Sequence, residues 1–458
     1  MKKNLAPEQL DSANRQLFAS IRAHDAASSL SGLREALANG ADPNTKSREH
    51  GKKSALEEAA SLPYSWACEL ALALIDAGAT TRLGADGRTA LHMASRHGHS
   101  DTAMALVARG LDPASATTDG WTAFLCSAAN GNFTLCEKLA AHSNVKASAE
   151  NGSRELRTDA PLLFMAVGEP AMALAAYRNG WGSPSTVANS RWTPLMRAIM
   201  GEWDDLVLYL AQHSECDRDH VDFDRKTAMH AAVMVNRADY LKILAQHGHP
   251  LSTFQKNGLA PLGLSIAQGN LRCAEELLAL GADPAARISK SKRDSGEETD
   301  WRGMDALCIA ASSESPAAFE LARSFIDRCN ASSQGLESRN TALHTAAAID
   351  DPELSARWTK LLLSKGWNPN ALNFHRQNAL MHAMAQKNFS AMEELLHVTD
   401  LGVKNKSSLD SLGVAQWLDS SHNSPEPLLR LRAHIEKQEL SEQTPSAKKS
   451  PLRSRRSL

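Results

Sequence analysis

The stretch Asp86-Gly87-Arg88-Thr89-Ala90-Leu91-His92-Met93-Ala94-Ser95-Arg96-His97-Gly98-His99 sets the frame for the whole chain. After a shift of 33 it returns as Asp119-Gly120-Trp121-Thr122-Ala123-Phe124-Leu125-Cys126-Ser127-Ala128-Ala129-Asn130-Gly131-Asn132. The frame recurs from Arg191 (Thr193-Pro194-Leu195-Met196), Arg225 (Thr227-Ala228-Met229-His230), Asn257 (Ala260-Pro261-Leu262), Gly303 (Ala306-Leu307), Arg339 (Thr341-Ala342-Leu343-His344) and Arg376 (Ala379-Leu380). Poorer copies begin near Ser54 and Asp159. Self-similarity at such a period marks stacked units, each too small to bury its apolar face alone.

Each part of the unit has a physical role. Thr-Ala-Leu-His or Thr-Pro-Leu-Met opens a short helix, with the Thr hydroxyl as cap and Pro tolerated in the first turn. Small residues such as Ala94 and Ser95, or Ala231 and Ala232, let neighbouring helices approach. A glycine turn (Gly98, Gly131, Gly269) ends that helix, and a second helix carries apolar pairs such as Leu277-Leu278 at helical spacing. Glycine then accepts the left-handed conformation, as in Leu278-Ala279-Leu280-Gly281-Ala282-Asp283-Pro284, and leads into a polar β-turn.

The pattern resembles the ankyrin-repeat family over about residues 20–440. Both helices and turns match at 86–118, 224–256 and 257–284; at 159–190, Gly168-Glu169-Pro170 occupies the inter-helix turn. The resemblance implies an all-α solenoid of about ten helix-turn-helix repeats with a concave inner face and β-turn fingers, capped at both ends. It also implies a structural role for His92, His230 and His344, which share one slot of the repeat: the ring bonds backbone between adjacent units.

The domain reading follows. Residues 1–50 hold N-terminal capping helices and a first partial repeat, and 51–406 the array, with longer loops at 143–158 and 287–300. Residues 407–440 form a C-terminal capping repeat, and 441–458 a disordered basic tail. In the N-terminal cap, Leu17, Ile21, Leu33 and Leu37 face inward while Arg15, Arg22 and Arg34 face water; Leu428, Leu431 and Ile435 share one face of the closing helix.

Composition narrows the function. The 458 residues carry 50 basic and 52 acidic side chains, a formal net charge of -2, so no global field draws the chain onto nucleic acid or an anionic membrane. With 5% aromatic residues, base-stacking modules are disfavoured. No apolar run approaches the roughly 18 residues of a membrane span, and the N-terminus lacks the apolar core of a secretory signal. Seven scattered cysteines, an odd number without a CxxC pair, fit a reducing compartment, so a cytoplasmic location is expected, with export by a dedicated machine left open.

No GxGxxG follows a strand, and neither GxxxxGK[ST] nor GxSxG occurs, so no enzyme and no cofactor are expected. The densest ionisable cluster, His213, Glu215, Cys216, Asp217, Asp219, His220, Asp222 and Asp224, matches neither an EF-hand nor a zinc spacing and reads as an acidic finger.

Binding is expected on the fingers and the exposed ends of the first helices. The finger positions are Arg88, Trp121, Trp192, Lys226, Leu259, Met304, Asn340 and Gln377; the helix ends supply Arg96, His97, Asn130 and Met234, and Trp301 stands beside them. Exposed Trp and Arg dominate interface hot spots, although each Trp could instead pack over its own turn. Arg88, Arg191, Arg225, Lys226, Arg302, Arg339 and Arg376 outweigh Asp86, Asp119 and Asp224 along that row, which suits a partner protein with an acidic or mixed surface. Two alternatives share this surface: a secreted bacterial effector, on the tail's resemblance to arginine-rich translocation signals, and a nucleic-acid-associated regulator using basic fingers and tail.

Overall fold

A computed structural model of the chain describes residues 6–47, 53–64, 66–81, 86–142, 159–187, 191–213, 216–287, 303–329, 331, 334–335 and 338–443. The long loops at 143–158 and 288–300, Trp301, Arg302, Glu215 and the tail from 444 lie outside them. The described residues form α-helices joined by short turns; the only β pairing among them is two isolated bridges, Lys46 with Ser54 and Ala116 with Thr122.

The chain falls into two compact units, Met1–Phe223 and Asp224–Leu458. In the first, helices pair as α1 (Pro7–Ile21) with α2 (Ala26–Ala38), α3 (Ala55–Ala60) with α4 (Ala67–Asp76), and α5 (Ala90–Arg96) with α6 (Ser100–Ala108). There follow α7 (Ala123–Ala129) with α8 (Phe133–Ala140), α9 (Ala160–Ala166) with α10 (Pro170–Arg178), and α11 (Pro194–Met200) with α12 (Asp204–Gln212). In the second unit α13 (Ala228–Met234) pairs with α14 (Ala238–Gln246), α15 (Pro261–Ala267) with α16 (Leu271–Ala279), and α17 (Ala306–Ala311) with α18 (Pro316–Phe325). Then come α19 (Ala342–Ala346) with α20 (Pro352–Ser364), α21 (Ala379–Ala385) with α22 (Phe389–Leu396), and α23 (Ser411–His422) with α24 (Glu426–Gln443). Each unit is a stack in which pair packs on pair, the ankyrin solenoid architecture.

The short first helices stack through alanine: Ala94, Ala128, Ala198, Ala232, Ala346 and Ala383 are fully buried, so no side chain holds adjacent helices apart. The second helices supply bulk, with Leu106, Leu139, Leu210, Leu244, Leu277 and Leu362 fully buried. Burying one such leucine is worth about 1.5–3 kcal/mol. The departure at 159–190 is accommodated: Gly168 takes φ 81 in the turn, and Pro170 begins α10, where its missing N–H costs no hydrogen bond.

First helices of the array other than α15, whose cap position is Ala260, are capped in two ways. Thr122, Thr193, Asp159, Asp305 and Asn378 accept a backbone N–H three residues on. At Thr89, Thr227 and Thr341 the histidine three residues on completes the cap: the Thr backbone N–H donates to Nδ1 of His92 at 3.2 Å, His230 at 3.1 Å and His344 at 3.3 Å. Nδ1 is therefore an acceptor, and the ring proton sits on Nε2. Nε2 donates to the next repeat: His92 to Trp121 O at 3.0 Å, His230 to Leu259 O at 3.3 Å and His344 to Gln377 O at 2.9 Å. The inter-unit role implied for this slot is present at all three positions.

Fingers are tied to one another as well. Thr118 N–H donates to Asp86 O at 2.8 Å, and Lys256 N–H to Asp224 O at 2.9 Å. At the tip the left-handed position is glycine in Gly87 and Gly120 but arginine at Arg191 (φ 56), Arg225 (φ 61), Arg339 (φ 53) and Arg376 (φ 56).

The terminal pairs depart from expectation in detail. Arg22 is half-buried and bonds Glu58 of α3 at 2.6 Å, so it is an inter-helix tie rather than a solvated charge. On α24, Leu428, Leu431 and His434 are buried while Ile435 is half-buried, because contact with α22 follows an i, i+3 stripe rotated from the expected face.

Burial pushes His230 and His344 down to about 4, despite the backbone hydrogen bonds that oppose the shift. Their neutral form belongs to the fold, and the unfolded chain takes up their protons first. Their contribution is therefore complete above about 6.5 and is lost as pH falls toward 4, by on the order of 3 kcal/mol for each. In the first unit burial pushes Asp159 up to about 6, against hydrogen bonds from Leu162, Thr186 and Ser183; its contribution has the opposite sign and is lost as pH rises through that value. Acidification from neutrality to about pH 4.5 should open α13 and α19 to hydrogen exchange before α9, after correction for intrinsic rates. Equal loss across the three helices would contradict this assignment.

Candidate partner-binding chamber between two fingers

The fingers preceding α5 and α7, together with the exposed sides of those helices, enclose an open cavity of about 600 Å³. Four of the expected binding residues, Arg88, Arg96, Trp121 and Asn130, line it together, and His97 is exposed next to Arg96 at the end of α5. The stacking frame brings them together, since one period separates Arg88 from Trp121 and nearly one separates Arg96 from Asn130. Met93, Cys126 and Ala129 supply an apolar wall, with Asp86 and Asp119 at the finger tips.

Arg88 is positioned rather than loose. Arg88 Nε donates to Asp86 Oδ2 at 2.5 Å. Burial alone would raise the Asp86 carboxyl, but hydrogen bonds from the Arg88 backbone and guanidinium, with its charge, hold it below the usual carboxylate range. Arg96 is exposed and makes no ion pair with a described residue. Trp121 is half-buried rather than exposed: its N–H donates to Thr117 Oγ1 at 3.0 Å and its carbonyl accepts from His92, so the His92 link fixes the backbone that presents the indole.

Neither the histidine nor the cysteine of the chamber is free for chemistry. His92 has both ring nitrogens committed, and burial lowers its basicity. Burial pushes the Cys126 thiol up to about 11, although Arg96 and Arg88 pull it down. It should therefore react with iodoacetamide at pH 7.5 about 100-fold more slowly in the folded protein than in the unfolded chain. Peptide mass spectrometry after timed alkylation measures this, and comparable rates would contradict it.

The other expected positions do not join this chamber. Trp192 is half-buried on a later finger of the first unit. In the second unit Lys226 is half-buried and pairs with Asp224 at 3.5 Å, and Met234, Met304, Asn340 and Gln377 are half-buried. Leu259, expected to be exposed on a finger, is buried at 3% exposure. Its side chain folds against Gly263 of α15, where the missing β-carbon leaves room, and burial removes apolar surface from water. Trp301 lies outside the described residues.

Sequence reasoning missed Phe223 and Phe374, exposed at 58% and 53%, and Trp417 at 47%. The two phenylalanines occupy the residue before the finger turn (Phe223-Asp224-Arg225, Phe374-His375-Arg376), a position the sequence reading passed over. Around 213–224, His220 Nε2 bonds Arg191 O at 2.7 Å and Asp222 is buried; among the described residues no group of His, Cys, Asp and Glu is placed to hold a metal ion. No helix among them is long and apolar enough to cross a membrane.

The family model for ankyrin repeats (3 copies) matches residues 56–151, 163–254 and 205–288. The chain belongs to the ankyrin-repeat family. It is similar to human BCL-6 corepressor-like protein 1, 34% identical over 96 residues, and to the mouse protein of that name, 38% identical over 97 residues. Each match covers 21% of this chain and 5% of the relative. Among solved structures, the ankyrin repeat domain of Bcl-3 is 21% identical and matches with a TM-score of 0.43, covering 53% of this chain and 98% of that one.

Proposed function

We propose that this ankyrin-repeat protein is a scaffold or adaptor that recognises a partner protein through its fingers and first-helix surface, with the 86–130 chamber as its principal contact. Ankyrin repeats generally serve protein–protein interaction. The observation that carries the finer reading is the convergence of Arg88, Arg96, Trp121 and Asn130 on one chamber with an apolar wall and a charged rim. An aromatic anchor flanked by arginines is the composition of an interface hot spot. A frame held by buried helices and the His92 link fixes the backbone that carries these groups and so lowers the ordering cost on binding.

The rim of Arg88 and Arg96 against Asp86 and Asp119 suits a partner with an acidic or mixed surface. All seven cysteines are free thiols, which supports a reducing compartment, the cytoplasm, as its place of work. The committed His92 and the neutral Cys126 support a binding rather than an enzymatic role.

The test is affinity capture from native lysate, wild type beside the Arg88→Ala/Arg96→Ala/Trp121→Ala variant, with folding checked by circular dichroism. A specific partner should bind the variant at least about tenfold more weakly. Equal retention by a folded variant would move the contact elsewhere and refute the chamber assignment.

A further inference from the structure

In the second unit the last three fingers, 338–341, 373–378 and 404–410, are joined by backbone hydrogen bonds. Phe374 N–H donates to Ser338 O at 2.8 Å and Lys406 N–H to His375 O at 3.0 Å, so the fingers form one continuous ridge. Arg339, Arg376, Lys404 and Lys406 are exposed on it. None of these four cations makes an ion pair with a described residue; Arg339 Nε donates only to the neutral Gln334 amide, at 3.4 Å. Glu337, adjacent in sequence, lies outside the described residues. On the second helices of the same unit several cations are compensated across neighbouring repeats, Arg357 by Glu320 at 2.6 Å, Lys365 by Asp327 at 2.6 Å and the half-buried Arg430 by Glu393, whereas the exposed Arg272 and Lys360 make no ion pair with a described residue.

Two more features mark the ridge. Phe374 stands in its middle, 53% exposed, with Lys406 Nζ 3.3 Å from the ring centroid. Arg339 and Arg376 hold left-handed backbone at φ 53 and 56, as Arg225 does on the first finger of the unit, in the turn position that Gly258 and Gly303 occupy on the two fingers between. A β-carbon is disfavoured there, so these arginines oppose folding slightly, and such outliers gather at binding surfaces.

We propose that this ridge docks an acidic segment of a partner protein carrying an apolar side chain that covers Phe374. The inference rests on the protein-recognition reading but on a surface separate from the chamber. Uncompensated positive charge selects an anionic partner. Single-stranded nucleic acid would need successive stacking platforms. The ridge offers a single exposed phenyl ring. A formal net charge of -2 provides no wide positive field to hold a duplex.

Fluorescence anisotropy on the full chain tests this with two labelled probes, a short peptide alternating glutamate and leucine and an oligothymidylate. The peptide should bind at low salt and weaken on adding salt. Arg339→Gly/Arg376→Gly should reduce its affinity about tenfold while leaving Tm unchanged or raised, because the substitution relieves the turns. That pairing separates lost binding from lost folding. The Arg88→Ala/Arg96→Ala/Trp121→Ala variant should bind the peptide like wild type, which keeps failure of the chamber distinct from failure of the ridge. No peptide binding, or equal binding by the glycine variant, would overturn the proposal. Tighter binding of the oligothymidylate, lost in the same variant, would reassign the ridge to nucleic acid.

Discussion

The bond from a buried imidazole to the carbonyl that ends the next finger sets the geometry on which the proposed recognition surface depends. His92, His230 and His344 each cap their own helix through Nδ1 and reach the following repeat through Nε2. One neutral side chain thus satisfies a helix N-terminus and fixes the finger beside it. The carbonyl that accepts the bond belongs to the residue next to the helix cap, Trp121, Leu259 or Gln377. The interaction holding the stack also aims the side chains on its exposed edge.

Stability and recognition are divided between parts of the repeat. Alanines on the first helices and leucines on the second are buried and interchangeable from one repeat to another. Finger residues carry the differences between repeats, and neighbouring fingers are bonded through backbone, which leaves their side chains free to vary. The chamber at 86–130 and the ridge at 338–410 are two outcomes of one frame. The chamber combines both charge signs with an indole; the ridge carries positive charge around a phenyl ring.

The same division explains the quiet chemistry of the thiols. Cys126, Cys136, Cys216, Cys273 and Cys308 are buried, and desolvation keeps the thiol protonated in each. They pack as small apolar residues. In the described residues the histidines at the repeated slot are equally absorbed by structure.

While the role of the shared histidine slot came through the family resemblance, the sequence by itself determined the repeat and the helix pairs, as well as the rows on which the proposed binding residues lie. These follow from local rules: cap chemistry, glycine at left-handed turns and apolar spacing all act within a few residues and recur every period. Exposure along a row was decided only by the tertiary structure. Leu259 and Met304 occupy the same slot as Arg88, yet Leu259 is buried because Gly263 leaves space beneath it, a fact about a neighbouring helix turn rather than about its own slot. Trp121 is half-buried for a related reason, since it lies against the wall of its chamber. Which cations stand uncompensated was also invisible in the sequence. Lys365 and Arg339 look alike as residues, and only the stacking of one repeat on the next places a carboxylate beside the first and none beside the second among the described residues.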